Sequence, residues 1–124
     1  MIGYLIDVEN DRARMVEIGE DDHLKQFYDL IGCRCIDICT RKIGKKYYNI
    51  VLDDEGLLVS DPVFSAIDKG MNGMLAGNLI IFGIGDDQDL CSIEDTDPAN
   101  IKANMYEVFD FDTLGTHSVV VMDY

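Results

Sequence analysis

Short apolar runs broken by polar turns limit the fold of this chain more than any other feature. Ile2 to Val8 and Ala13 to Ile18 are two such runs, separated by Glu9-Asn10-Asp11-Arg12, and they read as a β-hairpin. Cys33 to Ile43 and Tyr47 to Leu52 form a second pair around Gly44-Lys45-Lys46. Asn78 to Ile84 reads as a buried strand, Leu90 to Ile93 as a weaker one, and His117 to Met122, with three consecutive valines, as the last. Asp53-Asp54-Glu55-Gly56 reads as a turn, with Leu57 to Val59 as a short return strand.

Three stretches carry helical spacing instead. Leu24, Phe27, Tyr28 and Ile31 fall at i, i+3, i+4 and i+7, with Asp21 or Asp22 placed to cap the start and Gly32 to end the helix. Asp61-Pro62 reads as a second helix start, with Asp61 as N-cap and Phe64, Ile67 and Met71 as its stripe. Asp97-Pro98 repeats that signature before Ile101, Met105, Val108 and Phe109. Strands and helices interleave without a strict βαβ rhythm. The expectation is an α+β fold in one domain spanning 1–124, a mostly antiparallel sheet with about three short helices packed on it.

With 124 residues, 48% of them hydrophobic, the chain is long enough to build a core. No run reaches the ~20 apolar residues of a membrane span. The start, MIGYLIDVEN, lacks a basic region and has Asp7 within its apolar stretch, so no export signal is read and a cytoplasmic setting is expected. Free thiols are then expected for Cys33, Cys35, Cys39 and Cys91. The first three share parity and would project from one face of a strand. Their C-x-C-x3-C spacing is not the C-x2-C of structural zinc sites, so neither metal nor cofactor is expected.

The net charge is −14, and it is unevenly placed: residues 1–46 carry −1 and residues 47–124 carry −13. Duplex DNA, RNA and anionic lipid would be repelled as direct ligands. Asp86, Asp87, Asp89, Glu94, Asp95 and Asp97 crowd twelve positions and form the candidate interaction surface. They lack the order of an EF-hand, and Asp97 has a separate use as a helix cap. Gly83-Ile84-Gly85 invites a phosphate-loop reading, but Asp86 and Asp87 follow it and would repel phosphate. His23 and His117 stand in no nucleophile motif. Arg41, Lys42, Lys45 and Lys46, beside Tyr47 and Tyr48, are read as edge decoration or as partners for an acidic patch.

The segments VEIGEDDHLKQFYDLIGCRCIDI, DDEGLLVSDPVFSAI and LAGNLIIFG, in that order, resemble an uncharacterised bacterial family. Its members are small acidic proteins of phages, conjugative elements and gut bacteria. The resemblance runs from about Val16 to about Ile101. It implies a mobile-element setting and no established activity. In members of that family a polar residue often follows the proline, where this chain has Val63 and Phe64.

Together these features point to a non-enzymatic accessory domain that binds another protein, with self-association also open. Such a module calls for an exposed apolar patch or an open sheet edge, sought first at Val119 to Met122. The alternative is an acidic mimic of DNA. A domain of this size is on the order of 35 Å wide, and duplex DNA presents roughly 20 charges over that length, within a factor of two of the later segment's −13. An enzyme of unrecognised type, using the aspartates or Cys91, is the third reading.

Overall fold

The computed structural model describes residues 1–59, 62–110 and 115–124. Ten strands and two α-helices appear among them: β1 (Ile2–Asp7), β2 (Arg12–Glu17), α1 (His23–Ile31), β3 (Ile36–Ile43), β4 (Lys46–Asp53), β5 (Phe64–Ile67), β6 (Gly73–Ala76), β7 (Leu79–Ile84), β8 (Leu90–Cys91), α2 (Asp97–Ala103), β9 (Met105–Asp110) and β10 (Gly115–Val121). A single 3-10 turn, Asp86–Gln88, links β7 to β8.

The strands form two sheets rather than one. The main sheet is antiparallel, in the order β2-β1-β7-β4-β3, with β8 added to the end of β7. The second runs β6-β5-β10-β9, and its β5–β10 pairing is parallel. Because side chains alternate along a strand, the central strands serve two cores. Tyr4, Ile6, Tyr48, Ile50, Leu79 and Ile81 face the second sheet and Ile101 of α2. Leu5, Val51, Ile80 and Phe82 face α1, where the Phe27 ring meets Phe82 edge-on at 5.9 Å. Burying each such side chain stabilises the fold by about 1.5–3 kcal/mol. Between these layers β1 needs a residue without a side chain: a Cβ on Gly3 would sit 2.6 Å from both Ile80 and Phe82.

The first hairpin and α1 lie where their spacing places them. Asp22 accepts from the Lys25 N–H at 3.4 Å, and Gly32 ends the helix at φ 79. Of the expected stripe, Phe27 and Ile31 are buried and Leu24 is exposed.

Of the other two expected helices, the second is a strand and the third is present from Asp97 but shorter than its expected stripe. Phe64 to Ile67 is strand β5, with Ser65 and Ala66 wholly buried in its interior. Four residues cannot establish a helical period, and the turn that follows has a clear hairpin chemistry. The Asp68 carboxylate accepts from the Gly70 and Asn72 backbone N–H groups, both at 2.9 Å, and thereby closes the β5–β6 loop. The Asp61 cap lies outside the described residues. The third helix stops at Ala103, and Met105, Val108 and Phe109 belong to β9, paired with β10 over six residues. Leu57 to Val59 is likewise not a strand; its side chains are exposed in a turn. Among the described residues no helix is long and apolar enough to cross a membrane.

Candidate interaction surface

The acidic segment begins where β7 leaves the main sheet. Gly85 N–H donates to the Asp89 carbonyl at 2.8 Å, which closes the tight turn carrying Asp86, Asp87 and Gln88. Asp87 and Gln88 hold φ values of 54 and 63, a left-handed conformation that costs most residues about 1 kcal/mol or more. A buried amide holds it in place. Asn49 of β4, only 3% exposed, donates from Nδ2 to the Gln88 carbonyl at 2.9 Å. Its own Oδ1 accepts from Thr40 Oγ1 of β3 at 2.8 Å. Asp86, Asp87, Asp89, Glu94 and Asp95 therefore project into solvent from a backbone fixed by the sheet.

Asp97 does not join them, which corrects its place in the candidate surface. It is 2% exposed and accepts from Lys46 Nζ at 2.9 and 3.0 Å, the Tyr48 hydroxyl at 2.8 Å and the Glu94 N–H at 2.7 Å. Burial pushes its pKa up, but the Lys46 ammonium and the Glu94 and Tyr48 donors outweigh that and hold the carboxyl below its ordinary value. Asn100 extends the network by donating to the Tyr48 hydroxyl and to the Ile43 carbonyl. The cap position falls to Thr96, and Asp97 instead fastens α2 to the β3–β4 hairpin. Lys46 also meets Glu94 at 3.3 Å, so the basic hairpin tip finds an acidic partner within its own chain. Arg41 stacks over Tyr124 at 4.6 Å, and Lys42 lies 5.8 Å from the Tyr47 ring centre.

The cysteines are free, and their expected common face is not formed. Cys33 precedes β3 and packs with Ile36 toward α1, whereas Cys39 packs toward the second sheet. Strand parity does not carry through the turn before Ile36. Burial raises the pKa of both thiols. His23 sits at the start of α1, and His117 Nε2 lies 3.0 Å from the Phe64 carbonyl, to which it donates. Among the described residues, no three of His, Cys, Asp and Glu stand where they could hold a metal ion.

The terminal strand is not an open edge either. β10 lies between β5 and β9, with Val119, Val120 and Met122 at most 1% exposed. What the second sheet offers is its outer face. Val63, Phe64, Ile67, Met71, Val108, Phe109, His117 and Val119 line an open trough of about 460 Å³ there. Met71 is 71% exposed and held at φ 65, and Val63, Tyr106 and Phe109 are also exposed. Phe64 lies across Gly73, where a Cβ would come within 2.3 Å of the ring. The trough is not legible in the sequence, because the same apolar residues also fit helical stripes.

No curated protein and no solved structure matches the chain. Residues 1–107 match the sequence profile of a family described as a domain of unknown function (DUF3846), and the chain belongs to that family.

Proposed function

We propose that this chain is a non-enzymatic protein-interaction domain that receives its partner on the outer face of the second sheet. The observation that carries the reading is the trough of about 460 Å³ between Val63, Met71 and Phe109, where apolar side chains remain open to solvent. Contiguous exposed apolar surface of this kind marks a site of association. The ionisable groups with short contacts are committed elsewhere: Lys46 to Asp97, and His117 to a backbone carbonyl. Lys46 and Asp97 fasten α2 to the β3–β4 hairpin away from the trough, and His117, which lines it, is tied to the Phe64 carbonyl.

The acidic mimic remains the competing reading, in keeping with the mobile-element setting that the resemblance implies. Among the described residues, four carboxylates of the 47–124 segment are paired within the chain, Asp97 and Glu94 with Lys46, Asp123 with Lys69 and Glu55 with Arg34. Site-specific photocrosslinking in a bacterial lysate separates the two. A benzophenone side chain placed at Met71 is expected to capture one discrete protein at both low and high ionic strength, while the same group at Lys102 captures none. No discrete adduct at Met71 would overturn the proposal. Adducts formed only from Asp87, and lost at high salt, would transfer it to the acidic surface.

A further inference from the structure

The two edges of the main sheet are treated differently. At β3 the backbone groups of Ile38, Thr40 and Lys42 point away from β4, and the chain occupies several of them itself. Asp37 Oδ1 accepts from the Ile38 N–H at 2.9 Å, Arg41 Nη1 donates to the Thr40 carbonyl at 2.9 Å, and Lys42 exchanges two bonds of 2.8 Å with Asp123. Side-chain and tail contacts of this kind block strand addition.

At β2 nothing comparable is present among the described residues. Ile18 and Met1 exchange hydrogen bonds, so the alternation assigns Arg12, Arg14 and Val16 to the ladder with β1. Ala13, Met15 and Glu17 therefore direct their N–H and carbonyl groups outward. A second observation comes from the charges. Lys25, Arg34, Lys46 and Lys69 have carboxylate partners, and Arg41 and Lys42 lie over tyrosine rings. Arg12 and Arg14, like Lys45 and Lys102, have no carboxylate partner among the described residues, in a chain of net charge −14. They alternate with Ala13 and Met15, so both project from the face of β2 that carries Val16.

We infer that β2 is a strand-addition site for an extended protein segment that alternates acidic and apolar side chains. The backbone of that segment completes the ladder at Ala13, Met15 and Glu17. Its carboxylates lie beside Arg12 and Arg14, and its apolar residues lie beside Ala13 and Met15. This site is separate from the trough on the second sheet.

The probe is a blocked, fluorescein-labelled peptide of sequence Thr-Glu-Val-Glu-Val-Glu-Thr, followed by anisotropy, with a control in which lysine replaces each glutamate. Saturable binding at or below on the order of 1 mM is expected, with the lysine control at least ~10-fold weaker. The doubly substituted Arg12→Glu, Arg14→Glu chain should also bind at least ~10-fold more weakly. Met15→Pro removes an outward N–H while leaving the ladder to β1 intact, so it should abolish binding with an unchanged circular dichroism spectrum. Met71→Glu should have no effect on this peptide, which keeps the test independent of the trough. Amide exchange at Ala13, Met15 and Glu17 should slow when the peptide is bound. Absent binding, equal binding of the lysine control, or full binding by the arginine variant would overturn the inference. So would sedimentation showing that the chain pairs with itself through β2.

Discussion

Replacing Asp97 with alanine removes one acceptor that serves three donors, and the structure sets the cost. Lys46 Nζ loses its buried partner but is 40% exposed and can recover water. The Tyr48 hydroxyl cannot recover it as easily, because Tyr48 is fully buried, and the Glu94 N–H is part-buried at the start of α2. A buried donor left without an acceptor costs about 1–3 kcal/mol, so Asp97→Ala should destabilise the domain by about 3 kcal/mol. For a chain of this length that corresponds to a fall in Tm of roughly 10 °C. The comparison variant is Glu94→Gln, whose carboxylate is 75% exposed and whose loss should cost no more than about 0.5 kcal/mol. Urea unfolding at pH 7, followed by far-UV circular dichroism, reads both. The difference between the native chain and Asp97→Ala should also depend on pH. The folded carboxyl titrates below its ordinary 3.8, so its contribution is complete above that value and is lost as pH falls through the folded pKa. At the alkaline end, burial works against the Lys46 charge, but Asp97 and Glu94 raise its pKa above 10.5, so its contribution is lost as pH rises through that higher value. A loss below about 1 kcal/mol for Asp97→Ala, or equal losses for the two variants, would refute the reasoning.

Three further outcomes follow from the packing. Gly3→Ala would drive a methyl group into Ile80 and Phe82, and should cost about 1–3 kcal/mol in the same urea assay. Phe27→Ala empties the contact with Phe82 and should cost about 3–5 kcal/mol, with α1 the first element to lose amide protection. In the native state Cys35 should alkylate before Cys33 and Cys39, because it is exposed and burial raises the pKa of the other two thiols; mass-resolved iodoacetamide labelling gives the order.

The elements most legible in the sequence were those whose signals are local. The hairpin of Ile2 and Ala13 announces itself by two apolar runs about a polar turn, and α1 by a stripe ending at Gly32. β5 and β9 are hidden because Phe64, Ile67 and Met71, and Met105, Val108 and Phe109 after Ile101, fall at helical spacings although the chain is extended at Phe64–Ile67 and Met105–Asp110. The Asp68, Gly70 and Asn72 series was the available correction, since a carboxylate that accepts from two nearby amides makes a hairpin loop. The acidic segment was visible as charge, but its support was not. Asn49 and Tyr48 reach it across the sheet, and no spacing rule joins Tyr48 to Asp97. The trough is hidden for two reasons: its apolar residues also fit helical stripes, and four strands from separate parts of the chain line it.

Amide hydrogen exchange on the chain, alone and with the protein captured at Met71, tests the interaction account most directly. The account predicts that protection is gained across Phe64 to Met71 and Met105 to Phe109, and that it survives high salt. Protection confined to Asp86 through Asp95 and abolished by salt would contradict it, as would an exchange pattern that the captured protein leaves unchanged.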